Sequence, residues 1–217
     1  MTSMTISINR QQELWLEFTG LYIGMPLILA FLLPPEAMFV VLGAVTLLSI
    51  RLLNRTDGFA WRDLLVGWNV IPGKLLLVFA MMTAISSVTL VMLFSPTMML
   101  DLPRNQTLAW LGILAFYPLL SALPQEVVFR PLFFARYGRL FPSIEAALIL
   151  NAFVFSLAHL MYWHWIVMAM TLAGGLFFGW AYGVKRNFPL ALVMHAVAGQ
   201  IIFTSGLGYL FYSGGVA

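Results

Sequence analysis

The chain has 217 residues, of which 62% are hydrophobic, 15% aromatic and only 9% charged, a balance that excludes an ordinary soluble domain and points to several membrane spans. The formal net charge of +3 does not indicate nucleic-acid binding, because the basic residues are scattered at the ends of apolar runs, where membrane orientation accounts for them. No cysteine is present, which removes disulfides, thiolate nucleophiles, iron–sulfur clusters and cysteine zinc sites, so any chemistry falls to His, Asp, Glu, Ser, Thr, Tyr or Lys.

The N-terminal stretch Met1 to Glu17 carries Arg10, Glu13 and Glu17. No small-residue cleavage site follows the next apolar run, so the stretch does not read as a cleaved signal peptide. Apolar runs of spanning length then begin near Phe18, Ala37, Leu75, Thr107, Ile144, Trp165 and Phe188. A span needs roughly 20 residues, so the expected fold class is all-α, a polytopic membrane bundle of about seven transmembrane helices. Pro26 interrupts the first run and Pro34-Pro35-Glu36 leaves only a tight connection to the second, which keeps a re-entrant pair open for these two.

Arg51, Arg55, Arg62 and Lys74 fall in one connection, Arg136 and Arg139 in a second, Lys185 and Arg186 in a third. With seven alternating spans all three lie on one side, and the positive-inside rule makes that side cytoplasmic, with a cytoplasmic N-terminus and an outer C-terminus. The stretch Trp61 to Trp68 reads as interfacial, with Arg62 and Asp63 towards water and Trp61, Leu64, Leu65 and Trp68 towards lipid. There is no internal repeat or linker, so 1–217 is one membrane domain.

Within the spans the polar inventory is short: Glu126, Arg130, Asn151, His159, His164 and His195. Glu126 and Arg130 stand four residues apart, on one helical face. Ionisable residues at membrane depth are costly and mark functional sites by default, although such a pair also serves as a purely structural ion pair. Taken as one long fourth helix kinked near Pro124, the chain puts Glu126 roughly 16 Å from its cytoplasmic end, with His159 roughly 22 Å and His195 roughly 10 Å from theirs. Helix tilt closes such differences. His164, inside Met161-Tyr162-Trp163-His164-Trp165, reads as part of an outer aromatic belt. Gly175 and Gly179 have the small-xxx-small spacing of close helix packing.

A carboxylate with two imidazoles supports two hydrolytic schemes. Glu126 acts as general base towards water while one histidine positions the water and the other donates to the oxyanion. In the other scheme Glu126, His159 and His195 hold a metal such as zinc with an open water position. Two histidines and one carboxylate suffice for either scheme, and no further ligand is evident.

In order along the chain, Gln125-Glu126-Val127-Val128-Phe129-Arg130, then Phe155-Ser156-Leu157-Ala158-His159, then His195 before an apolar run resemble the CAAX prenyl endopeptidase and bacteriocin-processing (CPBP, or Abi) family of intramembrane proteases. The resemblance covers about Ser121 to Gly206, with 107–206 as the family-like core and 1–106 as N-terminal spans of no assigned role. It implies an endopeptidase of a bacterial inner or plasma membrane, acting on a membrane-associated protein or peptide from a cavity open to the cytoplasm. Glu126 would be the base, His159 its partner, His195 in the oxyanion site and Arg130 the group that orients the carboxylate, by a metal-free route with zinc as the alternative cofactor. Two positions depart from the family pattern. Its first glutamate, usually assigned to water activation, is Gln125 here, an amide that cannot act as a base. Its Asn or Asp four residues after the last histidine is Gly199, with Gln200 one place on. Gln125, Asn151 and Gln200 are therefore supporting candidates, and a catalytically impaired relative that binds membrane peptides or regulates a partner is the alternative to an enzyme.

Overall fold

The computed structural model describes residues 8–211. Seven helices are long and apolar enough to cross a membrane: α1 (Asn9–Phe31), α2 (Pro35–Asn54), α3 (Gly73–Phe94), α4 (Thr107–Leu140), α5 (Ile144–Tyr162), α6 (Trp165–Gly183) and α7 (Phe188–Ser205). No strand occurs among the described residues. The chain is an all-α integral membrane protein. Its lipid-facing surface is apolar: Leu47, Leu77, Leu93, Leu108 and Ile149 are between 60% and 84% exposed, as expected where hydrocarbon replaces water as solvent. The two chain ends, expected in the cytoplasm and outside, lie beyond the described residues.

The first helix starts at Asn9, earlier than the apolar run near Phe18 suggests. The reason is amphipathicity: Leu14, Phe18 and Tyr22 recur every four residues and are all buried, while Arg10 and Glu13 pair with each other on the exposed side. Full helices of 23 and 20 residues for α1 and α2 fit two spans rather than a re-entrant pair. The segment after α2 is only partly interfacial. Leu65 and Trp68 are exposed, but Leu64 is buried in the core, against the expected lipid-facing position. The segment is held down because Asn187, which caps α7 by accepting from the Leu190 N–H, also donates to the Gly67 carbonyl. Gly67 has φ +110°, a conformation suited to glycine.

Helix α4, at 34 residues, is the central element. It is α-helical over Thr107–Tyr117, widens to π over Pro118–Ala122, returns to α over Leu123–Val127 and widens again over Val128–Tyr137. Pro118, Pro124 and Pro131 each lack an N–H and crowd the carbonyl four residues back, and the wider turns relieve that crowding. The Tyr22 hydroxyl of α1 donates to the Val128 carbonyl at 2.7 Å, at the start of the second wide stretch. Near the end of α4, Arg136 reaches back to α1 with bonds of 2.7 and 2.9 Å to the two Glu17 oxygens. Helices α5 and α6 approach closely at Gly175, where a Cβ would lie 2.8 Å from the Ala152 Cα.

Candidate active site

The site is built on α4 where its short α turn, carrying Glu126, passes into the second wide stretch, carrying Arg130. Glu126 and Arg130 are both fully buried. The Arg130 Nε donates to Glu126 Oε2 at 2.9 Å and an Nη to Oε1 at 3.4 Å, the i, i+4 spacing placing the two on one face. The remaining Arg130 nitrogen donates to Asn151 Oδ1 of α5, and Asn151 in turn donates to the Phe129 carbonyl at 2.7 Å. The guanidinium lies over the rings of Phe155 and Phe178, so its charge is met by a carboxylate on one side and aromatic faces on the other.

His195 of α7 completes the arrangement. Its Nδ1 lies 2.8 Å from Glu126 Oε1. A carboxylate can only accept, so Nδ1 carries the proton and Nε2 keeps the free lone pair. The imidazole is stacked on Phe178, with centroids 4.8 Å apart and planes 9° apart. Arg130, Glu126 and His195 thus form one buried chain of charge-assisted bonds, worth more inside a low-dielectric bundle than in water.

A cavity of about 660 Å³ adjoins this chain, lined by Gln125, His159, His195, Tyr117, Gly199 and a wall of Phe and Met side chains. Glu126 is not on that wall. His159 is, with its Nδ1 2.8 Å from the Phe155 carbonyl; the carbonyl accepts, so here too Nε2 keeps its lone pair. A second cavity of about 110 Å³ shares Ser121, Gln125, His159 and Tyr162 with the first. At this shared wall the Gln125 amide nitrogen donates to Ser121 at 3.0 Å, while its buried Oε1 has no partner among the described residues.

The seven supporting and catalytic candidates therefore separate. Glu126, Arg130, Asn151 and His195 are directly linked, His159 and Gln125 face the same cavity, and Gln200 does not take part: it donates to the Leu114 carbonyl of α4 at 2.9 Å and is absent from the cavity wall, its face being rotated by about 100° from that of Gly199. His164 caps α6 by accepting from the Ile166 N–H. For zinc the donor set does not fit. Both Glu126 oxygens are engaged by Arg130 and His195, and no group of three or more His, Asp or Glu able to share an ion occurs among the described residues. Tyr117 and Phe178 carry no signal in the sequence. The i, i+4 pair Phe155 and His159 was visible as a motif, but the aromatic cage around Arg130 and His195 comes from three helices.

Residues 104–199 match the family described as Type II CAAX prenyl endopeptidase Rce1-like. That stretch, somewhat under half of the chain, is similar to the CAAX protease family. It runs from just before α4 into α7 and so contains Gln125, Glu126, Arg130, His159 and His195, while Gly199 is its last residue. No curated protein and no solved structure matches the chain. The CAAX protease family implies an intramembrane protease. The cavity's lining runs from the middle of the bundle to the ends of the helices away from the basic connections, through Met38, Tyr162, Phe203 and Phe211. At the end that carries the basic connections, the segment Trp61 to Trp68 meets the start of α7 through the Gly67 carbonyl and Asn187.

Proposed function

We propose that the chain is a metal-free intramembrane endopeptidase that hydrolyses a peptide bond of a membrane-associated protein or peptide, with His195 as the general base and Glu126 as the group that holds it. The contact between His195 Nδ1 and Glu126 Oε1 at 2.8 Å carries this reading. With Nδ1–H given to the carboxylate, His195 Nε2 takes a proton from water, and the Glu126 charge stabilises the imidazolium that forms. The same imidazolium returns the proton to the leaving amine. His159, presenting Nε2 as an acceptor, holds the second hydrogen of the attacking water. Glu126 itself, with no exposed surface and both oxygens engaged, is poorly placed to meet water directly, which moves the base role expected of it to its histidine partner. Arg130 and Asn151 hold the carboxylate in place, and the free Gln125 Oε1 is an acceptor for a substrate N–H. A wall rich in Phe and Met suits an apolar stretch beside the scissile bond and does not require a prenyl group.

The competing reading is a relative that binds membrane peptides without cleaving them, favoured by the amide at position 125. The test is cleavage of a panel of single-span reporters with varied juxtamembrane peptides by the purified protein in proteoliposomes. Turnover by the wild type that is lost in His195→Ala supports the endopeptidase; saturable reporter binding with no turnover by the wild type supports the binding protein.

A further inference from the structure

In the tetrahedral intermediate the His195 imidazolium commits its Nε2–H to the leaving amine and His159 presents Nε2 as a lone pair, so neither imidazole serves the oxyanion. A donor is nevertheless present in the cavity. Gly199 lies one turn beyond His195 on the same face of α7, and the missing side chain lets the Tyr117 ring of α4 lie directly on the helix backbone: a Cβ at 199 would overlap Cε1, Cζ and the hydroxyl oxygen of Tyr117. The ring stands edge-on to His195, with centroids 6.1 Å apart and planes 70° apart, and is braced from the other side by Phe203 at 5.7 Å. Tyr117 lines the large cavity together with His159, His195 and Gly199.

We propose that Tyr117, seated where a side chain at position 199 would lie, is a catalytic residue whose phenolic O–H donates to the oxyanion formed at the scissile carbonyl. The inference rests on the endopeptidase reading. When hydroxide adds to the carbonyl carbon, the C=O π electrons move onto oxygen, and the Tyr117 O–H donates a hydrogen bond to that oxygen without transferring its proton. The bond weakens again when the C–N bond breaks and the carbonyl reforms. Such a donor acts on the transition state more than on the bound substrate. Phe203 and the Gly199 backbone hold the ring before substrate arrives, which is the preorganisation that this kind of stabilisation needs.

The experiment compares the wild type with Tyr117→Phe, which keeps the ring and its packing and removes only the hydroxyl, on the reporter that the wild type cleaves best in proteoliposomes. The expected result is a fall in kcat of roughly 100-fold, with KM and the thermal midpoint unchanged. A kcat within about threefold of the wild type, or a change confined to KM, overturns the role assigned to Tyr117 while leaving the endopeptidase standing. Gly199→Ala, which displaces the ring but keeps the hydroxyl, is expected to lower kcat as well, and unchanged kcat in that variant counts against the inference too. A wild type that binds reporters and cleaves none defeats the endopeptidase reading itself, and this inference with it.

Discussion

Glu126 has two oxygens and, among the described residues, two hydrogen-bond partners for them, Arg130 and His195. Removing the carboxylate strands a fully buried guanidinium, so Glu126→Gln is expected to lower stability by about 3–5 kcal/mol in denaturant titrations of the purified protein. Replacing both partners, as in Glu126→Leu with Arg130→Met, should recover most of that stability and none of the cleavage. Recovery of cleavage in the double variant would show that the pair serves packing alone. Gln125 behaves in the opposite way. Its Oε1 is buried and unpartnered, so Gln125→Leu removes a desolvated acceptor and should leave the thermal midpoint unchanged or raised, while KM for the reporter increases through loss of the substrate N–H contact. At this scale the sequence made the participants legible, since few ionisable groups occur within the apolar runs. It did not make their pairing legible. Which histidine meets Glu126, and which Gln200 face points away, depend on the rotation of α4 and α7 about their axes, and that rotation is set by packing.

Helix α4 carries the site because its prolines interrupt regular hydrogen bonding on both sides of the Glu126 turn. The three prolines are visible in the chain, and a kink near Pro124 follows from them. Two wide stretches do not, because local widening depends on partners elsewhere, among them the Tyr22 hydroxyl bound to the Val128 carbonyl. Tyr22→Phe is expected to cost about 1 kcal/mol of stability, read from denaturant midpoints, and to lower reporter cleavage because the turn that holds Arg130 loses a support from α1. The same contact, with the Glu17 to Arg136 pair, gives the N-terminal spans a role: they buttress the helix that bears the site from outside the matched stretch 104–199. The spans α2 to α7 were legible from run length and punctuation. The start of α1 was not, because its first turns are amphipathic rather than uniformly apolar, and one face of it is buried against α4.

The whole bundle separates a basic end, where Arg136 meets Thr56 and Asn187 meets Gly67, from an end poor in basic residues, where the cavity lining reaches Tyr162, Phe203 and Phe211. With the positive-inside rule, this predicts that the cavity is reached from the side of the membrane opposite the cytoplasm or laterally from the bilayer. The chain has no cysteine, so single cysteines can be read without background. Ser86→Cys, on the cavity wall, should react with a membrane-impermeant maleimide added outside intact cells, and Arg62→Cys, at the exposed basic end, should react only after the cells are opened. The reverse pattern would invert the orientation. Proposed catalysis depends most directly on the dyad of His195 and Glu126. Its sharpest test is the kcat of His195→Ala against wild type on one membrane-tethered reporter, at equal thermal midpoint. A loss of at least about 100-fold with the fold retained is the predicted result, and cleavage by His195→Ala within about threefold of the wild type would contradict it.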